Sequence, residues 1–179
     1  MDSATHQLEF SGLLLDRGFW LYVWDITTAG TTHLYYVGRT GDSSSNNAQS
    51  PFDRMSRHLG FNKNNNVLRR RLQNNGIDAN KCDFRLVAYG PILKEAKTLE
   101  QHQECRDRIA AMEKALANAM AEAGYMVINQ VHCRTQLDVE AFEAVRTAFA
   151  THFKKLPQRS EAETLHESQE ETRKSGGHS

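Results

Sequence analysis

The sequence predicts an α+β fold in which helices flank a three-stranded antiparallel sheet. Two segments rich in aromatic and β-branched residues, 19–26 and 33–38, are separated by a glycine-containing turn, which is typical of a β-hairpin. A third segment, 83–89, alternates apolar and polar residues in its first half, as a half-buried strand does. Helical patterns follow these segments, and a hairpin with helices packed on it favours an antiparallel sheet.

Four helices are predicted from capping and breaking residues. Pro51 opens a helix over 52–59, because proline is tolerated in the first helical turn. The asparagines at 64–66 can cap a second helix that runs through residue 72. A long helix over about 94–123 ends at a glycine, and a short extended piece at 126–128 precedes a last helix over 139–153.

The chain is predicted to contain one folded domain with extensions on both sides. The domain covers residues 19–130, with an N-terminal extension at 1–18 and a C-terminal helical extension at 131–156. Residues 157–179 are polar and almost free of large apolar side chains. Such a segment cannot bury enough surface to offset the entropy of ordering, so it is predicted to be a disordered tail.

Composition indicates a cytoplasmic protein without a membrane span. The chain has no apolar run of membrane-spanning length and no secretory signal at its N-terminus. Its three cysteines are widely spaced and form no CxxC pair, which indicates a reducing compartment and argues against a structural zinc site.

Charge is balanced over the whole chain but concentrated locally. The formal net charge is zero, which excludes a protein that coats nucleic acid through bulk positive charge. Six cations nevertheless fall between residues 54 and 71, and these residues are candidates for phosphate contacts. They are Arg54, Arg57, Lys63, Arg69, Arg70 and Arg71.

An ordered set of polar and aromatic residues runs through the predicted domain. Tyr22 lies in the first strand, and Tyr36 begins the tripeptide that Gly38 closes in the second. Arg54 and His58 follow at i and i+4, on one face of a helix. Further along the chain come a glutamate in the long helix, Glu113, and an asparagine after the next extended piece, Asn129.

This constellation resembles the GIY-YIG nuclease family over residues 19–130. The family cuts DNA with a divalent metal on a small domain that contains a three-stranded antiparallel sheet. Carried over residue by residue, the resemblance implies a metal-dependent endonuclease with Mg²⁺ or Mn²⁺ held by Glu113. Two positions depart from the family pattern: Trp20 replaces a glycine, and Arg39 stands where several members carry a lysine. The implied catalytic residues are Tyr22, Tyr36, Arg54, His58, Glu113 and Asn129.

Glu113 is unusual on physical grounds as well. An apolar stripe runs along the long helix through Ile109, Met112, Leu116 and Met120, and Glu113 lies at its margin beside alanines. A lone buried carboxylate costs several kcal/mol unless it is paired or bound to metal. We therefore predict a metal ligand, with an edge glutamate that reaches water or pairs with an arginine as the alternative. If the carboxylate were unpaired, Glu113→Gln would raise the melting temperature of the metal-free protein.

The remaining candidates have roles that their chemistry allows. A guanidinium such as Arg54 can hold phosphate oxygens and stabilise transition-state charge, and His58 can act as a base or a structural hydrogen-bonding group. Either tyrosine could serve as the base, and Asn129 could equally be a turn residue. Arg39 stays protonated, so it can contact nucleic acid but cannot act as a base. The predicted nucleic-acid contacts are Gly38, Arg39, Arg57, Lys63, Arg69, Arg70 and Arg71.

Several partners and functions are compatible with the sequence. DNA is the expected substrate, as a duplex or in structured or single-stranded form, and a homodimer acting on a palindromic site is one way to bind it. Nothing in the sequence separates DNA from RNA, so an RNA-directed nuclease is an alternative. A catalytically silent nucleic-acid-binding module of the same fold is a second alternative, although the presence of all the named polar residues argues against it. A protein-binding module that uses the helix at 139–153 is a third.

Overall fold

The computed structural model describes residues 4–42 and 47–157, and it confirms the α+β class with a three-stranded antiparallel sheet. The strands are β1 (Phe19–Thr27), β2 (His33–Arg39) and β3 (Asp83–Leu93). Their order in the sheet is β2-β1-β3, and both neighbours run antiparallel to β1. The side chains of β1 are buried on both faces of the sheet, which explains its continuous apolar sequence.

Four α-helices surround the sheet. They are α1 (Pro51–Leu59), α2 (Val67–Asn74), α3 (Leu99–Glu122) and α4 (Val139–Ala150). Two short 3-10 helices, Gly12–Leu15 and Ala79–Lys81, were not expected from the sequence. Within the described residues, no helix is long and apolar enough to cross a membrane.

The side-chain alternation of the strands divides the interior into two cores. One face of the sheet packs Leu21, Val23 and Val37 against apolar residues of α3 and α4. The other face packs Tyr22, Trp24 and Tyr36 against α2 and the apolar residues of α1. The two candidate tyrosines therefore lie on the same face, as their strand positions predict.

Some boundaries differ from those predicted. Helix α3 begins at Leu99 instead of about residue 94, because the Thr98 hydroxyl accepts a hydrogen bond from the Gln101 N–H and caps the helix there. Strand β3 continues past residue 89 to Leu93, which pairs with Phe19 at the start of β1. A proline within it, Pro91, is tolerated because β3 is an edge strand.

The flanking segments are partly described. The N-terminal extension packs on α1, where the Phe10 and Phe52 rings lie with centroids 4.9 Å apart. Residues 126–128 run along the free edge of β2, with a parallel bridge between Tyr35 and Val127. The predicted disordered tail falls on residues 158–179, apart from Pro157, and these residues lie outside the described chain. Residues 43–46 of the long loop between β2 and α1 also lie outside it.

Candidate active site

Five of the six predicted catalytic residues come together at the Gly38 end of the β1–β2 pair. Tyr22 and Tyr36 come from the sheet, Arg54 and His58 from α1, and Glu113 from α3. They are close enough for Arg54 and Glu113 to influence the pKa of both tyrosines. The sixth, Asn129, lies beside this group with a different role.

Gly38 makes room for the Tyr22 ring. The two residues are directly paired across β1 and β2. A Cβ atom at position 38 would lie only 2.6 Å from the Tyr22 hydroxyl oxygen, so any side chain would displace the ring. The glycine therefore has a packing reason to occur here, and its predicted contact with nucleic acid is not needed to explain it.

Helix α1 places Arg54 and His58 on its inner face. Ser50 and Asp53 form a capping box that fixes the start of the helix, with the Ser50 hydroxyl 3.1 Å from the Asp53 N–H that donates to it. His58 is almost fully buried, and its Nε2 lies 3.1 Å from the Tyr22 hydroxyl oxygen. The imidazole also makes edge-on contacts with both tyrosine rings, at centroid distances of 5.8 and 5.4 Å.

The environment of His58 keeps its imidazole neutral. Burial lowers the pKa of His58 to about 3, and the nearby Arg54 guanidinium adds to this effect. A neutral ring has one nitrogen that accepts a hydrogen bond. With the proton on Nδ1, Nε2 accepts a hydrogen bond from the Tyr22 hydroxyl.

The depressed pKa of His58 predicts a loss of stability in mild acid. The unfolded chain protonates this histidine near its ordinary pKa of 6.5, whereas the folded chain does not until the pH approaches about 3. Folding stability therefore falls as pH falls through this window, by about 2 kcal/mol between pH 7 and pH 5. Urea denaturation of wild type and His58→Gln at both pH values measures this loss. Equal losses in the two proteins would contradict the assignment.

The two tyrosines differ in their hydroxyl contacts. Burial raises the pKa of Tyr22 well above its ordinary value, and the Arg54 guanidinium only partly opposes this shift. Burial and the Glu113 carboxylate raise the pKa of Tyr36 to about 12. Both hydroxyls are therefore protonated at neutral pH. Tyr22 is bonded to His58, whereas the Tyr36 hydroxyl has no hydrogen-bond partner within residues 4–42 and 47–157.

Glu113 is buried but paired, which corrects the expectation of an isolated carboxylate. The Arg39 guanidinium donates a hydrogen bond to Glu113 Oε2 and forms an ion pair with it. Burial raises the pKa of Glu113 above its ordinary value, although Arg39 opposes this shift. The condition for a higher melting temperature in Glu113→Gln is therefore not met, because Glu113 balances the part-buried charge of Arg39.

Asp42 is a site residue that the sequence patterns did not single out. Its Oδ2 accepts a hydrogen bond from the Arg54 guanidinium at 2.8 Å, and it lies close enough to Glu113 to raise the pKa of that carboxyl. Thr40 positions this turn, because its N–H donates to the Trp20 carbonyl at 3.0 Å and its hydroxyl accepts from the Trp20 N–H at 2.8 Å. In the sequence, Asp42 is the one acidic residue in the loop between the strand that carries Tyr36 and the helix that carries Arg54, and this position could have identified it.

Both ends of the Asn129 side-chain amide form hydrogen bonds with the backbone of β2. Its Oδ1 accepts from the Val37 N–H at 3.0 Å, and its Nδ2 donates to the Val37 carbonyl at 2.7 Å. The residue is buried, so these bonds satisfy its polar atoms. This geometry supports a positioning role next to Gly38 instead of direct contact with a substrate.

In the predicted basic cluster, some side chains are fixed by hydrogen bonds within the protein, and others are exposed and without such bonds. Arg69 donates to the Leu59 carbonyl at 3.1 Å and lies over the Phe61 ring, and Arg71 donates to the Ile128 carbonyl at 2.8 Å. Arg70 donates to the Lys63 carbonyl at 3.3 Å but remains exposed. The Arg57 and Lys63 side chains are exposed and make no hydrogen bond or ion pair with the described part of the chain.

The carboxylates of the site suit a divalent metal that keeps much of its hydration. Among the described residues, no three or more His, Cys, Asp and Glu side chains are grouped as ligands for one ion. A single buried carboxylate, Glu113, with Asp42 nearby, fits Mg²⁺, which commonly keeps several waters and takes one or two carboxylates plus substrate phosphate. A metal ion would compete with the Arg39 guanidinium for the Glu113 carboxylate.

No family model, curated protein or solved structure gives a match to this chain. Physical support for a function therefore comes from the geometry of the site itself.

Proposed function

We propose that this protein is a metal-dependent endonuclease that hydrolyses phosphodiester bonds, with the site built around Tyr22, Tyr36, Arg54, His58 and Glu113. The observation that carries the proposal is the Tyr22–His58 hydrogen bond beside Arg54 and a buried glutamate. A proton acceptor, a phosphate-binding cation and a metal-binding carboxylate are what in-line phosphodiester hydrolysis requires. The same residues carry the resemblance to the GIY-YIG nucleases, which the proposal adopts.

The proton from the attacking water has a path through two side chains. The Tyr22 hydroxyl can pass its own proton to Nε2 of His58 while it accepts a proton from water, because a substrate phosphate beside Arg54 would offset the guanidinium charge that helps to lower the pKa of His58. The water oxygen forms a bond to phosphorus, the bond to the leaving oxygen breaks, and the leaving oxygen takes a proton from solvent. This relay avoids a free phenolate, which the raised pKa of Tyr22 disfavours.

Arginine and metal supply the positive charge that the transition state needs. Arg54 is largely buried beside Tyr22, where a guanidinium interacts more strongly with a phosphoryl group than it would in water. When bound, Mg²⁺ or Mn²⁺ would polarise the phosphoryl oxygens. Glu113 would hold it, with Asp42 as a second oxygen donor. The Tyr36 hydroxyl, which has no hydrogen-bond partner among the described residues, would contact water or a phosphate oxygen.

The two tyrosines are expected to respond differently to loss of the hydroxyl. Tyr22→Phe breaks the proton path and should lower the single-turnover cleavage rate by about a hundredfold or more, the lower end of general acid–base effects. Tyr36→Phe removes one contact and should cost about tenfold, as one ordinary hydrogen bond would. Rates measured with saturating protein across pH decide this. A larger loss in Tyr36→Phe would transfer the base role to that residue.

The direct test is incubation of the purified protein with plasmid DNA, single-stranded DNA and RNA, with Mg²⁺, Mn²⁺ or a chelator. Cleavage of DNA that needs the metal is the expected result, and Arg54→Ala purified in parallel controls for contaminating nucleases. Cleavage of RNA alone would make the protein an RNA-directed nuclease. Binding without cleavage in any metal would favour the catalytically silent module.

A further inference from the structure

A polar cleft lies between α3 and the segment that follows it, beside the candidate active site. Its volume is about 490 Å³, in the range of small-molecule binding sites. Among the described residues, no acidic side chain, lysine or arginine lines it. The lining includes Ala117, Asn118, Ala121, Asn129, Gln130 and His132.

The cleft is aligned with Glu113 along α3. Ala117 and Ala121 follow Glu113 at successive steps of four residues, so the three share one side of the helix. At the helical rise, they lie about 6 and about 12 Å beyond Glu113 along the axis. A nucleotide next to a phosphate held by Arg54, which lies near Glu113, would therefore reach the cleft. The small alanine side chains leave this space open.

The far wall of the cleft is fixed before any ligand binds. Asn129 ties it to the Val37 backbone through both amide ends, at 3.0 and 2.7 Å. The Lys114 ammonium donates to the Cys133 carbonyl at 2.9 Å and ties the same segment to α3. A wall held at both ends needs little ordering on binding, which favours affinity.

The chemistry of the lining selects the kind of ligand. Val127, Val131 and the alanines provide apolar surface. The exposed side chains of Asn118, Gln130 and His132 make no hydrogen bond with any described residue. Amides present a donor and an acceptor side by side, which matches the edges of nucleobases. A phosphate or a metal ion would need several charged or ligating groups, whereas His132 is the one such side chain in the described lining.

We propose that this cleft binds an unpaired nucleobase next to the scissile phosphate. The inference rests on the proposed nuclease function and adds the substrate class, a strand that is single-stranded or unpaired beside the cut. A base within a duplex uses its Watson–Crick edge for its partner, so it cannot present that edge to the cleft.

The experiment compares binding of single-stranded oligonucleotides, intact or with one abasic nucleotide at successive positions, to the metal-free protein. Ala121→Leu fills the cleft, and Asn118→Ala with Gln130→Ala removes its amides. Gln103→Ala, at an exposed position nearer the start of α3, is the matched control. Each cleft variant should weaken binding of the intact strand by about tenfold, as loss of one base contact would. Gln103→Ala should bind like wild type, and melting temperatures confirm folding.

One abasic position should abolish the difference between wild type and the cleft variants, because the missing base no longer fills the cleft. Equal weakening for intact and abasic strands, or no weakening, would overturn the inference while leaving the nuclease proposal intact if wild type still cleaves. Failure of the wild-type protein to bind or cleave any oligonucleotide would overturn both.

Discussion

Glu113→Gln is expected to abolish cleavage while leaving the protein folded. Glutamine keeps the size of the side chain and can still accept a hydrogen bond from Arg39, but it loses the charge that holds a divalent metal. The cleavage rate should fall on the order of a thousandfold or more, about 4 kcal/mol of transition-state stabilisation. The melting temperature should not rise, because the native carboxylate is already paired.

Two measurements separate the metal role of Glu113 from a structural one. Calorimetric titration with Mn²⁺ should show binding to wild type and none to Glu113→Gln. Glu104→Gln, at an exposed position of the same helix, should bind metal and cleave like wild type. If Glu113→Gln cleaved normally in Mg²⁺, the carboxylate would be only the structural partner of Arg39.

Arg54→Ala is expected to slow cleavage by on the order of a hundredfold, comparable to removing one preorganised transition-state donor. Nucleic-acid binding should weaken much less, because this guanidinium is largely buried and held by Asp42. We therefore expect the Arg54 guanidinium to act mainly on the negative charge that develops on the phosphoryl group in the transition state. Single-turnover rates at saturating protein measure the chemical step separately from binding.

Arg57→Ala is the matched control for Arg54→Ala, since it removes an exposed arginine three residues later on α1. It should lower affinity and the salt dependence of binding without changing the saturated rate. Parallel loss of affinity and rate in Arg54→Ala would instead make that residue a simple phosphate anchor.

Local patterns were enough to predict most of the fold. The β1–β2 hairpin and the shared face of Tyr22 and Tyr36 follow from aromatic content and strand alternation. The end of β3 did not follow, because its last residues extend only by pairing with Phe19, far away in sequence. The start of α3 also depended on one capping side chain, Thr98, within a helix-compatible stretch.

In the candidate site too, sequence spacing predicts relations between nearby residues but not contacts between residues far apart in the chain. The i and i+4 spacing of Arg54 and His58 predicted their common face, and the structure places both beside Tyr22. The Arg39–Glu113 pair joins residues 74 positions apart, which no periodicity reveals. The bonds from Asn129 span 92 positions, so its positioning role needed the folded structure.

The most direct measurement of the central claim is cleavage of DNA in water labelled with a heavy oxygen isotope, followed by mass spectrometry of the new ends. If water activated at the Tyr22–His58 pair attacks phosphorus, each cut made by the wild-type protein in Mg²⁺ should place one labelled oxygen in the terminal phosphate of the product. Glu113→Gln should yield no such product. Unlabelled ends, or labelled ends formed equally by Glu113→Gln, would contradict hydrolysis at this site.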